Sequence, residues 1–233
     1  MSIGIMQPYF LPYIGYWQLL NTVDKFVIFD DVQFTKKGWI NRNNILVNSE
    51  KFLVTIPLKK YRGKSKICDI KLVEDIRWKT KLLKTIKISY SRAPFFKKIF
   101  PLIKKIIESD DENLFSFINF SIDLISQYLG IDSSKLIISS SLKISKNLKG
   151  EERIISICKK LKANSYYNPI GGLDLYDKKT FRTNGIELSF LRPNVVRYKQ
   201  KDNNFISNLS IIDVIMFNSV PRIKNMLNDY QLV

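Results

Sequence analysis

The chain has 233 residues, 45% of them apolar, which is enough for one domain, with room for a subdomain, and a full core, and excludes a disordered chain. No apolar run approaches the roughly 20 residues of a membrane-spanning helix, and the apolar start is broken by Gln7, Pro8 and Pro12 with no basic segment before it; a cytoplasmic protein is expected. The 38 basic and 21 acidic residues give a net charge of +17, but the lysines are dispersed, so an acidic small molecule, a carrier protein or an anionic membrane face is a better expectation than nucleic acid.

The first element is a short buried strand, Ile3 to Met6, stopped by two prolines that forbid a central strand from continuing. Gly15 to Leu20 then has helical spacing, and Val27-Ile-Phe29 is a second apolar run that ends on Asp30 and Asp31. Strand, loop, helix and strand in about thirty residues form a βαβ unit and predict a mostly parallel sheet. Ligands in open α/β sheets sit beyond the carboxyl ends of the strands, where this chain carries Gln7, Tyr9, Tyr13, Asp30 and Asp31. Tyr9 and Tyr13 flank prolines that stiffen the loop and are expected to face ligand. Asp30 and Asp31 would hold a cation, accept a proton from an amine or bind sugar hydroxyls; as plain structure they would cap a helix or line a surface loop.

Lys37, Trp39, Asn41 and Arg42 follow closely. A guanidinium fork, an amide and an aromatic face together suit a phosphate-bearing sugar or nucleotide, although Trp39 would equally fit a core. Residues 52–58 read as a strand, Lys59 to Lys66 as a basic loop either closing over an anion or simply solvated, and Ile67 to Leu72 as a weak strand. From Asp75 to Leu129 the periodicity is helical, broken at Ala93-Pro94, with Ser109-Asp-Asp-Glu112 expected to cap the third helix and Gly130 to close it. Three helices in a row predict a helical insert or lid at about 75–130 within a single domain spanning 1–233.

Strands are then expected at Lys135 to Ile138, Ser165 to Pro169 and Ile186 to Leu191. Helices are expected at Glu151 to Leu161, Asp174 to Thr183, Leu209 to Phe217 (with Ser210 as N-cap) and Pro221 to Tyr230. Gly171-Gly172 either lets backbone amides approach a ligand oxygen or makes an ordinary strand-to-helix turn. There is no histidine, which removes Ser-His and Cys-His nucleophile pairs and the usual zinc sites. Cys68 and Cys158 lack metal-ligand spacing, and Cys158 falls on the apolar face of its helix. No metal and no cofactor is expected, and acid–base work falls to Asp, Glu, Lys, Tyr, Cys or the substrate itself.

Several of these stretches together resemble the WbqC-like protein family: Met6-Gln-Pro-Tyr-Phe-Leu-Pro-Tyr-Ile-Gly-Tyr16, Phe29-Asp-Asp-Val-Gln-Phe34, Gly38-Trp-Ile-Asn-Arg42, Asn168-Pro-Ile-Gly-Gly172, Leu175-Tyr-Asp177 and Leu209-Ser-Ile-Ile-Asp213. The resemblance runs essentially end to end. It implies a role in O-antigen-type surface-glycan biosynthesis, by transfer of an acyl or aminoacyl group, brought by a carrier protein, to the amine of a nucleotide-linked amino sugar. On that reading Asp31, with Asp30 second, is the base and Tyr13 a further catalytic group. Gln7, Tyr9, Lys37, Trp39, Asn41, Arg42, Gly171, Gly172 and Tyr176 then bind substrate. The opening also looks similar to the nucleotidylyltransferase superfamily, which implies a Rossmann-like sheet. Tyr13 and Tyr16 stand where that superfamily has histidines, a departure that argues against nucleotidyl transfer to a phosphosugar with magnesium at Asp30 or Asp31. A non-catalytic partner of a glycan enzyme is the third alternative.

Overall fold

In a computed structural model the protein is described over residues 1–145, 147–201 and 204–233. Strand β1 (Ser2–Met6) leads through the proline loop into helix α1 (Ile14–Thr22) and strand β2 (Lys25–Ile28), the βαβ unit that the sequence predicts. Strands β1 and β2 run parallel, with Ile5 opposite Val27. The sheet continues with β5 (Leu136–Ile138), β6 (Ser165–Pro169), β7 (Glu187–Pro193) and β8 (Tyr230–Leu232), in the order β5-β2-β1-β6-β7-β8. Strands β5, β2, β1, β6 and β7 are parallel, and β8 adds to β7 antiparallel. The mostly parallel α/β sheet is thus present.

Side chains alternate across this sheet as the pleat requires. Phe26 and Ile28 share one buried core with α1, with α2 (Arg77–Tyr90), α3 (Phe96–Ile107) and α4 (Leu114–Leu129), and with α7 (Ile211–Phe217) and α8 (Val220–Leu227). Ile3, Ile5 and Val27 point the other way, against α5 (Gly150–Lys160) and α6 (Lys178–Thr183). From β1 the chain steps to β2 and β5 on one side, then jumps to β6 on the other. The crevice between the carboxyl ends of β1 and β6 is therefore the topological switch point, where open α/β sheets bind ligands.

Several boundaries differ from expectation. The strand at residues 52–58 is β4 (Glu50–Thr55), and it pairs antiparallel with a strand not foreseen, β3 (Arg42–Val47). Ile67 to Leu72 is no strand: Ile67–Asp69 forms a 3-10 turn, and Leu72 makes an isolated bridge to Leu58. The acidic Ser109–Glu112 segment does not cap α4; Asn113 does, its side chain accepting from Ser116 N at 3.1 Å. Helix α6 begins at Lys178 because Asp177 caps it, accepting from Lys179 N and Thr180 N, while Ile170–Leu175 winds as a 3-10 segment. The final helix ends at Leu227, and the residues beyond it supply β8. Among the described residues no helix is long and apolar enough to cross a membrane.

Candidate functional site

The loop after β1, residues 7–13, is held through the consecutive carbonyls of Phe10, Leu11, Pro12 and Tyr13. Leu11 adopts φ 42°, a left-handed conformation that is costly for a branched side chain and persists only where its surroundings over-determine it. Here they do. Asn43 Nδ2 donates to the carbonyls of Phe10 and Leu11 at 3.0 and 2.8 Å, and the Ser210 hydroxyl donates to Leu11 at 2.7 Å. The Pro12 carbonyl accepts from Trp17 Nε1 and Ile211 N, each at 3.0 Å. Phe10 N donates to the Ile40 carbonyl at 3.0 Å. This loop is a rigid platform clamped from α1, β3 and the start of α7.

Above it opens a cavity of about 670 Å³, within the size range of small-molecule sites. Its walls come from the carboxyl ends of β1, β2 and β6: Met6 and Gln7, then Phe29, then Asn168, Pro169, Gly171 and Gly172. Tyr9, Pro12 and Tyr13 come from the platform, Trp39 and Asn43 from the β3 side, and Leu175, Tyr176 and Asn208 close the rim. No lining residue carries a formal charge at neutral pH. Amides and phenols converge on it from several elements, with aromatic faces at Phe29 and Trp39. Burial pushes the phenol pKa values of Tyr9, Tyr13 and Tyr176 above the ordinary 10.0, so all three are neutral hydrogen-bond donors near pH 7.

Two glycines set the shape of the walls. A Cβ on Gly15 would stand 2.5–2.7 Å from the Tyr13 ring, so the glycine lets that ring lie back along the first turn of α1. A Cβ on Gly172 would collide with Asn168 Oδ1, whereas one on Gly171 would meet nothing within 4 Å. The paired glycines therefore differ in duty: Gly172 admits Asn168, and Gly171 is free of contact. Asn168 Nδ2 donates to the hydroxyl of Tyr166, a fully buried residue whose ring meets that of Tyr176 edge-on at 5.9 Å.

Of the sequence-selected residues, Gln7, Tyr9, Tyr13, Trp39, Gly171, Gly172 and Tyr176 all line this cavity, and Asp30, Asp31, Lys37, Asn41 and Arg42 do not. Asp30 is buried; its Oδ1 accepts from Ser140 N at 2.9 Å and lies 3.0 Å from the Ser139 hydroxyl. The same hydroxyl reaches Asp31 Oδ1, and Asp31 Oδ2 pairs with Arg153 Nη2. Asp31 is thus one half of a largely buried ion pair. The carboxylates tie β2 to β5 and α5, and the Arg153 guanidinium lies 5.1 Å from the centre of the Phe29 ring, which walls the cavity. Asn41 is spent on the hairpin, its Nδ2 donating to the Ile56 carbonyl at 2.8 Å; Arg42 Nε donates to Gly38 at 2.9 Å, and Lys37 is exposed in the adjoining turn. The basic loop packs on the segment after β2, with Gln33 Nε2 donating to the Gly63 carbonyl at 2.8 Å.

Asn43, Asn168 and Asn208 line the cavity without having been singled out. Asn168 sat inside a quoted motif, and a buried amide beside two glycines was the usable signal. Asn208 adopts φ 58°, a conformation asparagine tolerates better than most residues, but nothing local points it at a cavity built nearly 200 residues earlier.

The fold and the cavity define an α/β protein with a cavity of uncharged lining at the sheet's switch point. The chain belongs to the WbqC-like protein family, whose model matches residues 7–225. It is similar to the uncharacterized protein Rv1507c of Mycobacterium tuberculosis (strain ATCC 25618 / H37Rv), at 28% identity over 217 residues covering 92% of each chain. No solved structure matches it.

Proposed function

We propose that the protein is a cytoplasmic transferase of surface-glycan biosynthesis that binds a nucleotide-linked amino sugar in this cavity and receives an acyl or aminoacyl group, from a carrier-bound donor, on the sugar amine. The observation that carries the reading is the lining: amides from Gln7, Asn168 and Asn208 with the faces of Phe29 and Trp39, and no ionised side chain. Amides paired with aromatic planes suit sugar hydroxyls and a nucleobase, which are neutral and offer donors as well as acceptors; the anionic phosphates of such a ligand meet no cation in the lining, so in this reading they stay hydrated at the open rim.

The same lining bears on the proton. A desolvated, uncharged cavity disfavours an ammonium ion, so the sugar amine reacts as its free base and gives up its first proton to water on entry. The amine nitrogen attacks the acyl carbonyl carbon, and the bond from that carbon to the donor's sulfur or oxygen breaks. The leaving group then takes up the second amine proton. In this scheme Tyr13, held neutral by burial, donates to the carbonyl oxygen as negative charge develops there. Asp31 acts at a distance, by holding Arg153 against Phe29.

The test is to incubate the purified protein with nucleotide-linked amino sugars and loaded carrier-protein donors, and to weigh the products by mass spectrometry. The reading expects a mass gain equal to the acyl or aminoacyl group on at least one sugar. Failure across a broad panel of sugars and donors, with protein shown to be folded, would overturn it.

A further inference from the structure

A second surface of the molecule carries a different signal. Residues 76–107, which span α2, its connecting turn and α3, hold ten of the chain's 38 cations and none of its 21 acids. Helix α2 buries Leu82, Ile86 and Tyr90, which fixes its orientation. Lys81, Lys84 and Lys87 then project from the opposite side, all exposed and none with an acidic partner among the described residues. Arg92, in the turn that follows, is exposed and unpaired likewise. Ile88, 66% exposed, stands between Lys87 and Arg92 in the chain, and Ile76, 69% exposed, caps the start of the helix.

From this face we infer that the protein docks on an anionic phospholipid bilayer, with α2 lying flat in the headgroup layer. The helix is about 21 Å long at 1.5 Å per residue, and its outer side is a cationic stripe with an aliphatic insert. Lysine stems reach along such a surface while their ammonium groups stay among the phosphates. The exposed isoleucines decide between polyanions. A nucleic acid would answer the lysines and gain nothing from Ile88, whereas the acyl boundary of a bilayer removes that side chain from water. The docking surface lies outside the cavity and does not depend on the reaction proposed for it.

The test is co-sedimentation of the full chain with vesicles of phosphatidylcholine, alone or with about 30% phosphatidylglycerol. Binding is expected only to the anionic vesicles, and it should fall as sodium chloride is raised from about 50 to about 500 mM. Each membrane-proximal lysine contributes about fivefold, so the triple substitution Lys81→Gln, Lys84→Gln and Lys87→Gln should weaken partition about a hundredfold. Ile88→Ser should weaken it about tenfold while leaving retention on heparin unchanged. These side chains are exposed, so the variants should melt with the wild type. Equal binding to both vesicle types overturns the inference. So does a triple variant that binds as wild type, or an Ile88→Ser variant that binds anionic vesicles unaltered while duplex DNA competes the protein off them.

Discussion

The Ser210 hydroxyl donates to the Leu11 carbonyl at 2.7 Å, a hydrogen bond between residues 199 positions apart. It joins the Leu209–Asp213 motif near the end of the chain to the proline loop at its start, at the one residue of that loop with a left-handed backbone. The same serine accepts from Ile212 N at 3.3 Å, so a single side chain both caps α7 and fixes the platform under the cavity.

Removing either clamp should therefore loosen the platform. Ser210→Ala loses a cap and a buried hydrogen bond and should cost about 1–2 kcal/mol; Asn43→Ala leaves the Phe10 carbonyl without a donor and Leu11 with only Ser210, and should cost about 1–3 kcal/mol. Urea denaturation of both variants checks this. Costs below about 0.5 kcal/mol would mean that Leu11 is held by something else.

Asp31→Asn should destabilise by about 2–3 kcal/mol, because it strips the partner from a mostly buried guanidinium. In a chain of this size that is a fall of roughly 5–10 °C in melting temperature. Tyr13→Phe removes only a hydroxyl that has no protein partner among the described residues, and should melt within about 1 °C of wild type while losing about a hundredfold in turnover. Thermal melts and rates measured side by side separate the two roles. An Asp31→Asn variant that melts like wild type but is inactive would restore that carboxylate to the chemistry.

Much of this arrangement was legible in the sequence. Pro8 and Pro12 force the first strand to stop, and the apolar runs on either side of α1 have no polar face, so the βαβ unit and the crevice beyond it follow from local chemistry. Tyr9, Tyr13 and Gln7 reach the cavity for that reason. Asp30 and Asp31 did not, because their partners Ser139, Ser140 and Arg153 lie more than 100 residues away, and no local pattern distinguishes a free carboxylate from a paired one. Strand β3 was hidden because it opens Arg-Asn-Asn, residues with poor strand preference that are held there by pairing with β4 and by the contact of Asn43 with the platform.

The two adjacent glycines make an internal control. Gly172→Ala drives a methyl group into Asn168 Oδ1, and should both lower stability and weaken substrate binding about tenfold or more. Gly171→Ala meets nothing and should change stability by less than about 0.5 kcal/mol. Equal effects from the two substitutions, in melts and in binding assays, would mean that Asn168 does not depend on this close approach.

Asp213 provides a pH signature. It is fully buried, and burial raises its carboxyl pKa above the ordinary 3.8, although its Oδ2 accepts from Tyr198 Oη at 2.6 Å and Gln200 Nε2 at 2.7 Å. Between 3.8 and the raised folded value, the native state keeps a proton that the unfolded chain has lost. Its contribution to stability is thus full below 3.8 and declines as pH rises through the folded value. The melting temperature of wild type relative to Asp213→Asn should therefore climb as pH falls from about 7 towards about 4. A constant or falling difference would show that the carboxylate is ionised at no cost in the fold.

The central claim, that the cavity receives a nucleotide-linked amino sugar, is tested most directly by tryptophan fluorescence. The chain has three tryptophans. Trp17 is fully buried and Trp78 packs against Phe117, whereas Trp39 lines the cavity and is 44% exposed. Titration with nucleotide-linked amino sugars should give a saturable change in emission that Trp39→Phe abolishes and Gly172→Ala shifts to higher concentration. No saturable change across the panel, or a change that survives intact in Trp39→Phe, would contradict the account.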